Sequence, residues 1–342
     1  MINFRSHLKP AVIFFILTLI SLAVFKVFMQ IHVHHFKWLS KAAYGVTIGK
    51  PHWLAYQNRI LGPYMVSFIS LSGLSYSESL KVFIFLGIFI QSAALLFVLT
   101  KMKENFNNAM NYIVLFSFLF IAVQHRWFYA WDSIDAIIFI FFVWGIFAKK
   151  PAVYFIFIFF ISILNRETAL FISLYIVIDS FQIKLINNNL FPRIKVSLVS
   201  GAKLAVGLIL TVAGMVYTKF IRHQLFISKS SGADDAAHEL IGNHIYLLQN
   251  VVDLFYLNAF SVNIVNSLFI FGAVGYLSLF VKHYEEHQLK AYLVFMIIIA
   301  NIMAFGIINE TRMYIILLPF LLFFHIKIKR QDGLSEYSGG RL

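Results

Sequence analysis

Apolar residues in this chain do not alternate, and they do not keep to one helical face. They come in long runs separated by short polar punctuation. The hydrocarbon core of a bilayer is about 30 Å thick and takes about 20 apolar residues of helix to cross. By that measure the pattern predicts about ten spans, near 11–29, 80–100, 109–125, 129–148, 151–166, 167–182, 203–220, 262–282, 291–308 and 313–327. The apolar stretch 61–74 is too short to span and is predicted as an interfacial or re-entrant helix within an outer loop, 30–79. A second outer loop, 220–261, is predicted to carry another such helix at 241–260. The expected fold is an all-α integral membrane protein: one polytopic domain over 1–342, with a tail from 328.

Composition agrees with that solvent. Sixty per cent of the residues are hydrophobic, 39 of them Phe, and only 13% are charged, well outside the range of soluble domains. The chain has no cysteine, which excludes disulfides, thiol catalysis and thiolate metal sites. The first apolar run is long and has no small-residue cleavage site after it, so it reads as a retained anchor.

Charge then sets the orientation. Lys and Arg number 28 against 15 acids, for a net charge of +13. Lys101, Lys103, Lys149, Lys150, Lys184, Arg193, Lys195, Lys282, Lys290, Lys327, Lys329 and Arg330 fall on one side if the N-terminus is cytoplasmic. Both termini are then expected inside, in a bacterial inner membrane. A basic inner surface facing anionic headgroups accounts for the net charge and calls for no nucleic-acid partner.

Two punctuation marks carry the candidate chemistry. "ISILNRETALF" (161–171) and "IINETRMYIILL" (307–318) each place Asn, Arg, Glu and Thr between apolar runs. The stretch 151–182 is too long for one span and too short for two, so Asn165, Arg166 and Glu167 are expected below the outer surface. The same reasoning sinks Asn309, Glu310 and Arg312, and counting back from Lys149 leaves Asp132 and Asp135 within the outer leaflet. Charges at that depth need partners or an enclosed aqueous cavity. The expectation is an outward-facing polar cavity lined by Arg59, Arg126, Asp132, Asp135, Arg166, Glu167, Glu310 and Arg312. The alternative is that these residues snorkel, pair locally and set helix register. In "QIHVHHF", His32 and His35 share a helical face and His52 lies in the same loop, a metal-site alternative with no nearby carboxylate to complete it. No metal or other cofactor is otherwise indicated, and a divalent ion is left open.

The order of features resembles the C-type glycosyltransferase superfamily, membrane enzymes that use polyprenyl-linked sugar donors, and within it bacterial proteins like the O-mannosyl and aminoarabinose transferases. The resemblance lies in "NRILGPYMVSFISLSGLSYSESLKVFIFLGIFIQSAALLFVLTKM" (58–102), "WDSIDAIIFIFFVWGIFAKKP" (131–151), "ISILNRETALF" and "NETRMYIILLPFLL", and covers mainly residues 1–182. It implies a polyprenyl-(di)phosphate sugar donor and membrane lipids as partners. Members place a catalytic carboxylate in the first outer loop, whereas this chain has no Asp or Glu before Glu78, so that role passes to no residue there. The likeness is to the membrane unit alone, without the large C-terminal domain of many members.

A transferase would need a base for the acceptor hydroxyl and cations for the departing phosphate. Asp132 or Asp135 is the expected base. Arg166 and Arg312 would hold the phosphate, with Arg59 or Arg126 assisting, while Asn165, Glu167, Asn309 and Glu310 orient the arginines. Two other functions fit the same pattern: a lipid-linked polysaccharide polymerase or ligase, and a non-enzymatic transporter of lipid or solute. The charge bias predicts that a reporter fused after Lys103 reads as cytoplasmic and one near Gly232 as external, and the reverse result in a fusion assay would refute the orientation.

Overall fold

The computed structural model describes residues 10–49, 59–124, 129–186, 193–224, 245–255, 262–308 and 310–338. Thirteen α-helices make up most of it. They are α1 (Pro10–His32), α2 (Phe36–Thr47), α3 (Leu61–Ser70), α4 (Tyr76–Lys101), α5 (Phe106–Ala122), α6 (Asp132–Phe147) and α7 (Ala152–Asn165). After them come α8 (Leu170–Asp179), α9 (Gly201–Gln224), α10 (Leu247–Phe255), α11 (Val262–Leu279), α12 (Glu286–Phe305) and α13 (Leu318–Ser338).

Among the described residues, five helical segments are long and apolar enough to cross a membrane: Pro10–His32, Tyr76–Lys101, Gly201–Ile221, Glu286–Phe305 and Thr311–Arg330. They mark the chain as an integral membrane protein. The ten spans expected from the apolar runs are thereby corrected. The runs at 129–148, 151–166 and 167–182 fold as α6, α7 and α8, of 16, 14 and 10 residues. At 1.5 Å per residue these reach about 24, 21 and 15 Å, short of the hydrocarbon thickness. An apolar run counts every hydrophobic residue, including those that break the helix or lead into it, and so overstates helix length. The short helix expected within 61–74 is present as α3, and α10 lies within the stretch expected as a second one.

The structure is not wholly helical. Strands β1 (Phe181–Ile186) and β2 (Arg193–Leu198) pair antiparallel, Phe181 opposite Leu198 and Lys184 opposite Lys195. The alternation in "FQIKLI" and "RIKVSL" is the period-two signal that a search for spans passes over.

The helices gather into two compact units. The first takes in the described residues within Met1–Phe141, Ile161–Glu167 and Met215–His244. In it α1, α4 and α5 pack mutually. Phe25 meets Phe85 and Phe14 meets Phe89, so α1 and α4 run antiparallel. Phe28 stacks on Phe120 near the C-terminal ends of α1 and α5, which are therefore parallel. A capping box starts α4: the Glu78 amide donates to Ser75 Oγ at 3.3 Å and the Ser75 amide to Glu78 Oε2 at 2.9 Å, satisfying two otherwise orphaned donors. A tight turn with Lys103 at φ 63° reverses the chain, and Asn105 caps α5 by accepting from the Asn108 amide at 2.8 Å. Helix α3 leans on α4, and its Gly62 approaches the backbone before α6 so closely that a Cβ there would lie 3.0 Å from the Ala130 carbonyl carbon.

The second unit takes in the described residues within Phe142–Phe160, Thr168–Gly214 and Ile245–Leu342. Phe142 sits edge-on to Phe155, Tyr175 and Phe320, an aromatic core joining α6, α7, α8 and α13. Asp179, ending α8, accepts from Lys203 of α9 at 2.6 Å and from Lys290 of α12 at 3.0 Å. Asn250 closes the C-terminus of α12. Its amide donates to the Met303 and Gly306 carbonyls at 2.8 and 2.7 Å, and its oxygen accepts from the Ile308 amide at 3.2 Å.

Because backbone rather than a movable side chain faces Gly62, Gly62→Ala is expected to cost about 1–3 kcal/mol, read as a lower melting temperature in detergent. An unchanged melt would show that α3 can withdraw from the Ala130–Trp131 backbone.

Candidate functional site

Two helix ends build the site. Helix α6 begins at Asp132, and Asp135 follows three residues on, so both carboxylates lie on one face of its first turn. Helix α7 ends at Asn165, after which the chain bends through a 3₁₀ turn, Glu167–Ala169. Negative charge at a helix N-terminus is favoured by the helix dipole. The site thus gathers its acids where α6 tolerates them and takes its donors from the end of α7.

The geometry is that of a closed polar clasp. Asn165 Nδ2 donates to Asp135 Oδ1 at 2.9 Å and to the Trp131 carbonyl at 3.0 Å. Arg166 Nη1 donates to Asp135 Oδ2 at 3.1 Å and stands 3.8 Å from Asp132 Oδ1. The Tyr129 amide donates to Asp132 Oδ2 at 3.1 Å. Asp135 is 1% exposed and Asp132 3%, while the Arg166 side chain keeps 12%. Burying such a group is tolerable only with partners of this quality.

Arg59 approaches from the segment leading into α3. The Ile60 amide donates to the Leu164 carbonyl at 3.2 Å, which fixes that segment to the end of α7. The Arg59 guanidinium then lies 5.2 Å from the Trp131 ring centroid, a cation–π contact. Its Nε is 3.6 Å from Glu167 Oε2, and the Glu167 side chain is 29% exposed. Trp131 is fully buried, and its ring stacks on Tyr129 with centroids 4.7 Å apart.

Of the residues expected to line one cavity, the first unit brings together Arg59, Asp132, Asp135, Arg166 and Glu167, with Asn165 among them. Instead of lining an open vestibule these six are packed against one another. A cavity about one water in size lies beside Asp132, lined by Phe28, Ile84, Ile88, Phe120, Gln124, Tyr129, Ala130 and Ser133. Glu310 and Arg312 belong to the second unit and pair with each other at 2.8 Å. Arg126, Asn309 and His52 lie outside the described residues. His32 is buried with its ring 4.4 Å from that of Phe28, and His35 precedes α2. Among the described residues no three His, Asp or Glu side chains gather as a metal ion would need.

The sequence reading passed over three residues that this structure gives a part. Gln124 is 8% exposed and lines the cavity, Asp179 holds two lysines, and Asn250 closes α12. Each is a polar residue within or beside an apolar run, the same signal that singled out Asn165. Compared with protein-family models, curated proteins and solved structures, the chain matches none.

Removing Arg166 would leave Asp135 buried beside a hydrogen-bond donor but without its counter-ion. Arg166→Ala is therefore expected to destabilise by about 3–5 kcal/mol, and pairing it with Asp135→Asn to recover much of that loss. A double-variant cycle from chemical denaturation in detergent checks this, and purely additive effects would contradict the clasp.

Proposed function

We propose that the chain is a membrane-embedded transferase that moves a sugar from a polyprenyl-(di)phosphate donor at this site, on the extracytoplasmic side of a bacterial inner membrane with both termini cytoplasmic. The observation that carries the reading is Arg59, whose guanidinium rests on the Trp131 face and whose Nε stands 3.6 Å from the half-buried Glu167 carboxylate. Glu167 is half-buried at the rim of this pair, an incoming phosphate would compete with its carboxylate for the guanidinium, and a guanidinium fork suits phosphate oxygens. Arg166 is held by the buried aspartates and supplies fixed positive charge close by. Asp135 has both oxygens engaged and acts as a positioning residue. Asp132 borders the cavity and is the group placed to take a proton from an acceptor hydroxyl.

A second reading rests on the completeness of the Asp135 clasp. With Asn165 and Arg166 filling both carboxylate oxygens, the cluster also suits a non-enzymatic membrane protein whose buried ion pairs lock helix ends in register.

The two readings separate on binding of a polyprenyl phosphate to the full chain in nanodiscs, measured by native mass spectrometry against phosphatidylethanolamine. The transferase reading expects selective retention of the polyprenyl phosphate, roughly tenfold weaker in Arg59→Gln, the worth of one charge-assisted contact. It expects Asp132→Asn to retain binding and lose sugar transfer. No selectivity over phosphatidylethanolamine, with Arg59→Gln indistinguishable from the parent, would leave the locking role.

A further inference from the structure

The interior of the α1–α4–α5 bundle carries a set of polar side chains that the ion-pair cluster does not use. Gln91 is fully buried in the middle of α4, and neither its amide nitrogen nor its oxygen finds a partner among the described residues. Ser21 of α1 and Ser117 of α5, 0% and 2% exposed, are likewise without a partner there, as are both polar atoms of Gln124 just past α5. A buried polar atom left without a hydrogen bond bears its desolvation cost uncompensated, and native interiors resolve nearly all such groups with protein or water. Four side chains of this kind in one small bundle call for a common explanation.

Helix geometry places them in one seam. Ile84 and Ile88 of α4, Phe28 of α1 and Phe120 of α5 line the cavity beside Asp132. Gln91 follows Ile88 by three residues and Ile84 by seven, so it shares their face. Ser21 precedes Phe28 by seven residues, and Ser117 precedes Phe120 by three and Gln124 by seven, on the corresponding faces. With α1 and α5 parallel and α4 antiparallel to α1, all three displacements run the same way, placing these residues about 5–10 Å deeper than the cavity at 1.5 Å per residue. One turn deeper again, each helix presents a buried apolar residue: Leu17 on α1, Leu95 on α4 and Ile113 on α5. The polar seam therefore has a mouth at Gln124 and Asp132 and an apolar floor.

We propose that this seam is a blind, water-filled pore that opens at the Asp132 cavity and hydrates that carboxylate from within the bundle. Water is the ligand that the chemistry selects. The amides of Gln91 and Gln124 present a donor and an acceptor each, which a cation or an anion alone would satisfy only by half. The room beside Asp132 is that of about one water. The inference stands on α1, α4 and α5 alone and does not need the transferase reading.

The chain's lack of cysteine provides the test. Ser21→Cys and Ser117→Cys are nearly isosteric, and silver ion, which is close to water in size, reaches a thiol only through water. Both thiols are expected to react with silver in the full chain in nanodiscs, read by mass shift, while Leu95→Cys and Ile113→Cys one turn deeper stay unmodified. Gln91→Leu, or Gln91→Met where Leu is not tolerated, is expected to slow silver at Ser21→Cys several-fold by interrupting the file of waters. Seam thiols as silent as the deeper ones would overturn the pore. Deeper thiols as reactive as the seam would overturn its floor, and an unaltered rate in both Gln91 variants would remove Gln91 from the path.

Discussion

The arrangement of the site depends on one buried interaction, the pairing of Asp135 with Arg166 and Asn165. A carboxylate that is 1% exposed is stable only if its oxygens are saturated, and here one amide and one guanidinium do so at 2.9 and 3.1 Å. The rest follows from those two bonds. They hold the end of α7 to the first turn of α6, and the second Asn165 bond, to the Trp131 carbonyl, fixes the approach to α6. Trp131 then offers its face to Arg59, and the Ile60 amide on Leu164 returns that segment to α7. Loss of the clasp would free three separate pieces of chain at once.

Much of this was legible in the sequence, and for a physical reason. Charge inside an apolar run is expensive, so Asn165, Arg166, Glu167, Asp132 and Asp135 announced themselves by position, and their mutual contact is what that cost requires. Arg59 was legible only through its neighbourhood, since nothing in "QNRILGP" specifies a cation–π partner. The number of spans was not legible. Apolar content reports the solvent a segment prefers, whereas span count depends on where each helix ends, and α6, α7 and α8 end early because their polar termini are fastened to one another or to neighbours. The β1–β2 pair is written in plain alternation but falls largely between the apolar runs at 167–182 and 203–220, where the sequence reading drew only on the basic residues Lys184, Arg193 and Lys195. Gln91, Ser21 and Ser117 were invisible for the opposite reason: uncharged polar residues are common enough in apolar helices that only the shared seam gives them meaning.

The second unit solves the same problem with different groups. Asp179 ends α8 and is held by two lysines from α9 and α12, while Asn250 bonds the open carbonyls where α12 stops at Phe305. In each unit a short or interrupted helix ends against a side chain from a distant part of the sequence. That is the condition for stopping a helix in a medium that offers no water to its last carbonyls and first amides. Polar residues between the apolar runs thus fasten helix ends first, Asn250 through backbone carbonyls and Asp135 and Asp179 through side chains, and any chemistry is built on those already in place.

Asp132 and Asp135 show how that second use arises. They stand on the same turn and share Arg166, yet their surroundings diverge. Asp135 faces Asn165 and Arg166 with its two oxygens and is 1% exposed. Asp132 stands 3.8 Å from Arg166, accepts from the Tyr129 amide, and borders the cavity with Gln124 and Ser133. Two like carboxylates in unlike settings take unlike roles. The one held by Asn165 and Arg166 sets geometry, and the one beside the cavity is placed for exchange. A bundle that hydrates Asp132 from within, with Arg166 3.8 Å from one of its oxygens, gives that carboxylate both a counter-charge and a path for exchange.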